Sequence, residues 1–300
     1  MRCYVVIPTK GRPHEVRLAL DFLKRQTKPP DFTAVVGTTE SDIAEIRGHS
    51  LVQPGIGSAL ISPRIGLTSQ RNYVLEILAA RGLLDTRNDG FFCVFLDDDF
   101  LVAPDWLEVV EHRFEKGDIV GLDGLVLADG ARTGGLTAQQ AEVFINSART
   151  SDGSEREVGA LYGCNMAFID KVVVENRFDE NLPLHGWMDD AEYSHDAKRL
   201  GKLIHFPEAK GVHLAVQSRG GTRGVKFGYS QIANPIYFVR KRVMSTQNAI
   251  RIVAAGLASN MVHFLSKQGK IDYAGRLLGN LYALADLITL RSDPMRVVRL

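Results

Sequence analysis

FFCVFLDDDF, Phe91 to Phe100, is the stretch whose reading decides the fold. Its first six residues are apolar, rich in Phe and short, as suits a strand buried on both faces inside a parallel sheet. The run then stops in Asp97, Asp98 and Asp99. Burying an unpaired carboxylate costs several kcal/mol or forces it to take up a proton, so a cationic partner is expected there. A solvated turn is the plain alternative. An EF-hand would use Asp97, Asp99, Asp105 and Glu108, but Leu101 is no ligand and Val102 stands where that loop requires glycine. A phosphatase-type Asp nucleophile would want a hydroxyl-bearing motif just downstream, and LVAPDW supplies none. What remains is a hard divalent cation held by one or two carboxylates together with phosphate oxygens. Such sites lie beyond the carboxyl ends of strands in open α/β sheets, which is where the triplet falls.

Working outward, CYVVI (Cys3 to Ile7) reads as a first buried strand closed by Pro8, followed by the turn Thr9, Lys10, Gly11, Arg12, Pro13. This turn offers a hydroxyl, two cations and a glycine just before a helix, a composition suited to an anion or to an ordinary loop. His14 to Thr27 has helical spacing and Phe32 to Val36 reads as the second strand, so the order is βαβ with a right-handed crossover. Gln53 to Ser69 reads as loop and Gln70 to Arg81 as helix. Arg71 at that helix start opposes the macrodipole and needs either solvent or an anionic partner. Downstream of the acids, Pro104 opens a helix to about Phe114 and Asp118 to Leu127 reads as strand. Ala128 to Glu157 is expected to be a mobile loop, and Val158 to Ile169 is apolar again.

In HGWMDDAEYSHDAKRLG, His185 to Gly201, the acids Asp189, Asp190 and Glu192 crowd a helix start. They read as capping or as a second carboxylate cluster with one member serving as general base. Trp187 beside them suits a sugar ring or the core. Leu203 to Phe206 reads as a short strand, and His213 as a metal ligand or a structural histidine. Ser218 to Gly228, with Arg219, Gly220, Gly221, Arg223, Gly224 and Lys226, suits a diphosphate-covering lid or a linker. Tyr229 to Leu290 is helical in character.

The chain has 300 residues, enough for one large or two small domains, with 36 basic against 35 acidic side chains. That balance offers no bulk attraction for nucleic acid. Three cysteines without metal-ligand spacing favour a reduced protein. The apolar start is too short for a signal peptide, and no run of the sequence reads as a spanning helix, so a cytoplasmic protein is expected, with the inner face of the membrane as its one peripheral address. Basic residues accompany the C-terminal helices, which leaves membrane contact, a homodimer surface and plain packing open.

Taken in order, the motifs resemble the family 2 inverting glycosyltransferases of the GT-A fold over about the first 230 residues. VVIPTKGRP is similar to that family's first strand and nucleotide loop, and GLTSQRN to the segment before its acidic motif. FLDDDFLVAPDWLE is similar to its metal-binding region, GCNMAFI with FDENL to its acceptor side, and WMDDAEYSHDAKRLG to the helix carrying its base. The resemblance implies a GT-A domain over 1–228 with a helical extension over 229–300, built on a mainly parallel sheet flanked by helices. It implies a hexosyltransferase that moves a sugar from a nucleoside-diphosphate sugar, UDP-sugar first, to a glycan or lipid-linked acceptor with Mn²⁺ or Mg²⁺. Thr9, Arg12, Thr38, Arg71, Asp97 and Asp98 would serve the nucleotide, Asp99 and His213 the metal, with Asp97 on ribose or metal, and Asp190 would be the base. One departure stands out. After the second strand the chain reads VVGTTESD, so Gly37 or Thr38 occupies a place that is acidic in the family, and Asp42 alone keeps the later acid. A sugar-nucleotide pyrophosphorylase shares the architecture, but TKGRP is a poor version of its glycine-rich segment. A catalytically silent nucleotide-sugar binding module is the alternative outside the enzymes.

Overall fold

The computed structural model describes residues 1–87, 90–132, 135–148, 153–216, 223–266 and 271–300. These fall into two units. The first comprises the described residues of Met1–Ile65, Ser69–Phe178 and Tyr193–Ser218, and is built on a nine-stranded sheet. Strand β1 (Arg2–Pro8) lies between β2 (Phe32–Gly37) and β4 (Phe91–Leu96), parallel to both, and β3 (Gly57–Ile61) extends the parallel half beyond β2. All six residues of β4 are buried, as its uninterrupted apolar run requires. Helix α1 (Pro13–Leu23) has proline in its first turn and buries Val16, Ala19, Leu20 and Leu23, one face of a 3.6-residue period.

Beyond β4 the sheet becomes mixed. β8 (Asn165–Ile169) runs antiparallel to β4 and to β6 (Gly121–Asp129), β6 runs parallel to β9 (Leu203–His213), and β5 (Phe100–Val102) runs antiparallel to β9. The expected mainly parallel sheet is thus wholly parallel in its first half and mixed in its second. The short α2 (Glu40–Ile43), the helices α4 (Trp106–Phe114), α5 (Ala138–Ser147) and α6 (Asp170–Glu175), and all but the first residues of α3 (Leu67–Ala80) and the second half of α7 (Asp189–Ala197) complete this unit.

Several elements depart from the sequence reading, among them β3, α5 and β9. β3 occupies a segment expected to be loop, because an edge strand that opens on Gly57, Ser58 and Ala59 and leaves Ser58 to Leu60 half-exposed carries little apolar pattern. α5 occupies a segment expected to be mobile. Its start is fixed by a capping box in which Thr137 Oγ1 accepts from the Gln140 amide and the Gln140 side chain accepts from Thr137 N–H. β9 runs eleven residues where four were expected. Its pairing with β6 jumps from Gly124–Phe206 to Leu125–Lys210, so Pro207 sits in a bulge where a missing N–H costs the ladder nothing.

The second unit comprises Gly66–Thr68, Asp179–Glu192 and the described residues of Arg219–Leu300. Its helices are α8 (Arg223–Lys241), α9 (Thr246–Ser266) and α10 (Tyr273–Ile288). The expected boundary at 228 falls inside α8. Gly224, Lys226 and Gly228 are therefore helical and not part of a lid, while Arg219, Gly220 and Gly221 lie outside the described residues. α8 and α10 meet through glycines: a Cβ on Gly228 would stand 2.0 Å from the Arg276 carbonyl oxygen, and one on Gly279 would stand 2.0 Å from that of Val225. Contrary to the sequence expectation, one helix among the described residues, α9 with 21 residues, is long and apolar enough to cross a membrane by length and composition alone.

Candidate functional site

The acidic triplet forms the turn between β4 and β5. Asp97 N–H donates to the Cys164 carbonyl, Phe100 N–H to that of Asp97, and Leu214 N–H to that of Asp99, so the backbone of the first and third acids is fixed. Register then decides what faces them. β5 pairs Phe100 with His213, which sets the imidazole beside Asp99, and β6 pairs Asp129 with the same histidine from its other side. His213 Nε2 lies 3.4 Å from Asp99 Oδ1, and its Nδ1 lies 3.0 Å from Asp129 Oδ1. One ligand atom each from Asp97, Asp99 and His213 fall within 4.8 Å of one another.

Thr9 and Arg12 come to the same place from the loop after β1. Thr9 Oγ1 donates to Asp98 Oδ2 at 2.7 Å, and Arg12 Nη1 bridges Asp98 Oδ1 at 2.9 Å and Asp99 Oδ2 at 2.6 Å. The cation that the sequence demanded beside the buried acids is, in this state, a guanidinium. Arg71 enters from beneath. It is 1 % exposed, its guanidinium packs 5.1 Å from the Phe178 ring centre, and Nη2 reaches Asp97 Oδ1 at 3.5 Å and the Gly163 carbonyl at 3.2 Å. Asp97 is thus one anionic partner of this buried cation.

The electrostatics follow from this packing. Burial pushes Asp97 above the ordinary carboxylate range although 31 % of its side chain stays open, and Arg71 and His213 pull the other way. Asp98 is raised, first by burial and further by the Asp99 charge, against Arg12. Burial works on Asp99 too, yet the hydrogen bond to His213, the Arg12 charge and the Val216 N–H hold it low. Burial disfavours the His213 cation, but the hydrogen bond to Asp99 and the charges of Asp97, Asp99 and Asp129 outweigh it and lift the imidazole to about 9. Asp99 is thus kept ionised by the cations beside it, and a metal held by His213 would have to displace the imidazole proton.

Two carboxylates and an imidazole with converging ligand atoms suit Mn²⁺ or Mg²⁺, the imidazole favouring Mn²⁺. Asp129 on the far nitrogen of His213 is the kind of outer partner that fixes ring orientation in such sites. Sequence reading had singled out His213 but missed Asp129, because only the β6–β9 register brings the two together. The same register pairs Asp123 with His205, whose Nδ1 lies 2.7 Å from Asp123 Oδ1.

Thr38 and Asp42 have a different arrangement. Asp42, 4 % exposed, accepts from the N–H groups of Gly11, Thr38 and Thr39 and from Thr38 Oγ1, at 2.7 to 2.9 Å. It joins the loop after β1 to the loop after β2. Gly37 permits this approach, since a Cβ there would stand 2.7 Å from that of Asp42.

In the second unit, α7 begins with the three acids noted in the sequence. Asp189 and Glu192 are buried, Glu192 pairing with Lys241, while Asp190 keeps partial exposure. Asp190 is the acid of this turn that a solute can reach. Leu184 and Met188, just before it, have left-handed φ of 61° and 68°, as does Ala215 at 50° just after His213. Such non-glycine residues cost of order 1–3 kcal/mol each and collect at ligand sites. Trp187 is half-buried, with its ring edge-on to Phe227 at 6.0 Å.

No family model matches the chain, and no curated protein matches it in sequence. Solved structures do. The chain is similar to S. aureus TarS 1-349, with TM-score 0.53 and 14 % identity over 85 % of this chain and 70 % of that one. A longer S. aureus TarS gives 0.52 and 13 % over 85 % and 42 %, and GalNAc-T7, crystallised with UDP, GalNAc and Mn²⁺, gives 0.54 and 14 % over 78 % and 50 %. The chain thus spans half or less of those two longer structures. TarS 1-349 has also been solved with UDP and with UDP-GlcNAc. At such identity the likeness establishes the fold, which is GT-A-like, with helices C-terminal to the mixed sheet.

Proposed function

We propose that this chain is a metal-dependent inverting glycosyltransferase that takes a sugar from a UDP-sugar donor and delivers it to a hydroxyl of a glycan or lipid-linked acceptor. The observation that carries the reading is the convergence of Asp97, Asp99 and His213 at the carboxyl end of β4. UDP and its sugars are supported by what the similar TarS and GalNAc-T7 structures hold. The chemistry a bound divalent cation supplies is neutralisation of charge on the departing diphosphate, with Asp97, Asp99 and His213 holding it.

The rest falls to side chains of the protein. With a cation held by Asp97, Asp99 and His213, Arg12 would no longer be needed to neutralise Asp99 and would face phosphate oxygens, while Thr9 and Thr38 would line the nucleotide loops. Arg71 holds Asp97 in place from below. Asp190 takes the proton of the acceptor hydroxyl as its oxygen attacks the anomeric carbon. The bond from that carbon to the diphosphate oxygen breaks on the opposite face, and the configuration inverts. A carboxylate base of this kind contributes roughly 10²–10⁴-fold. UDP release from UDP-GlcNAc and UDP-GalNAc, measured with Mn²⁺ and a panel of glycan acceptors, tests the reading. Turnover that Asp190→Asn abolishes while UDP still binds is the expected result. An Asp190→Asn protein as active as the parent would sink the base assignment, and folded protein that neither binds nor releases UDP would sink the whole.

A further inference from the structure

The helical unit sets a buried amide cluster beside a small apolar centre of Tyr229, Ile232, Ala233, Ala283 and Val297. Asn260 Nδ2 donates to Gln231 Oε1 at 2.8 Å and to Asn280 Oδ1 at 2.9 Å, Asn280 Nδ2 donates to the Gly228 carbonyl at 2.7 Å, and glycines bring α8 and α10 into backbone contact. Its outer surface carries large apolar side chains as well. Ile250, Val262 and Leu265 on α9, Leu281 and Ile288 on α10, and Leu290 just after it are between 62 % and 86 % exposed. On each helix these residues recur at near-helical intervals and form a stripe. Small residues and side-chain amides within, and apolar side chains without, are how helices associate where the surroundings are hydrocarbon.

Charge says which surroundings. The segment from Arg240 to Leu300 carries ten basic and three acidic side chains, against 26 basic and 32 acidic before it. α9 has no acid at all, and Arg242, Arg251, Arg291 and Arg299 are exposed. An apolar helix face accompanied by arginines is the pattern of a segment lying in the headgroup region of an anionic bilayer. α9 is 21 residues long with 11 % of its most apolar stretch buried, but spanning would strip Asn260 of Gln231 and Asn280 and draw Arg251 into hydrocarbon.

We propose that the outer faces of α9 and α10 rest in the interface of a membrane carrying anionic lipid, with α9 parallel to its plane. The test is flotation of the full chain with vesicles of phosphatidylcholine alone or with added phosphatidylglycerol, at low and physiological salt. Light scattering without lipid accompanies it. The protein is expected to float with the anionic vesicles and not the neutral ones. Arg242→Gln and Arg251→Gln should each weaken partitioning about fivefold. Leu265→Gln with Leu281→Gln, both at exposed positions that the fold does not need, should weaken it about tenfold or more with UDP binding unchanged. The proposal is overturned if the parent chain stays unbound, if the leucine pair has no effect, or if the pair instead dissolves a dimer seen by light scattering.

Discussion

Asp42 gives the sharpest prediction. Its carboxylate takes three backbone N–H groups, from Gly11 at 2.7 Å, Thr38 at 2.8 Å and Thr39 at 2.9 Å, and so ties the loops after β1 and β2 together. Asp42→Ala leaves all three donors without an acceptor. Each such loss costs about 1–3 kcal/mol when buried, and these amides are partly buried, so the loops should loosen by about 2–4 kcal/mol in all. Read as amide hydrogen exchange at Gly11, Thr38 and Thr39, that is roughly a 30- to 1,000-fold loss of protection. Asp42→Asn keeps one oxygen but sets an NH₂ against a donor, and should fall between, at about 5- to 30-fold. Burial alone would raise Asp42, yet the N–H groups of Gly11, Thr38 and Thr39 together with the Thr38 hydroxyl hold it below its ordinary 3.8. A depressed carboxylate stabilises above its unfolded value and loses that contribution as pH falls through the folded one. The gap between parent and Asp42→Asn should therefore be full above pH 3.8 and close below it. A loss of protection under about threefold in Asp42→Ala at neutral pH would refute the argument.

Other expectations are shorter. Gly228→Ala forces a Cβ to 2.0 Å from the Arg276 carbonyl and should destabilise the helical unit by about 2 kcal/mol or more. Gly48→Ala, which meets nothing within 4 Å, should leave the melting temperature unchanged in the same differential scanning experiment. Asp129→Asn removes the acid on His213 Nδ1 and should weaken Mn²⁺ binding about 10- to 100-fold by titration calorimetry, while circular dichroism stays that of the parent. Arg71→Lys keeps the charge but loses the planar fork that packs over Phe178 and reaches both Asp97 and Gly163. A several-fold drop in metal affinity is expected, with the larger loss for Arg71→Ala.

What could be read from the sequence was whatever depended on local pattern. The buried strand ending in three acids, the βαβ start and the acidic first turn of α7 are each visible in a window of ten to fifteen residues. Register was not. Nothing in the spacing of Asp129 and His213, 84 positions apart, says that parallel pairing of β6 with β9 sets them side by side. Weakly patterned strands were hidden for a related reason: β3 is a half-exposed edge, and β9 is broken by a proline bulge. The role of Asp42 needed the loop geometry, since an acid in VVGTTESD that contacts a base and one that caps three amides look alike in sequence. Helix α9 reads as helical but not as a spanning segment, because Arg251, Ser259, Asn260 and His263 interrupt its apolar run, and only the fold turns Asn260 inward and leaves the apolar side chains outside.

The central claim is a divalent-cation site at Asp97, Asp99 and His213 that serves a nucleoside diphosphate. The direct measurement is titration calorimetry of UDP, GDP and dTDP into the protein with and without Mn²⁺, repeated on Asp99→Ala. The account predicts that UDP binds with Mn²⁺ at least tenfold more tightly than without it, and that Asp99→Ala abolishes the difference while remaining folded. Equal UDP affinity with and without the metal, or a metal dependence that survives Asp99→Ala, would contradict it.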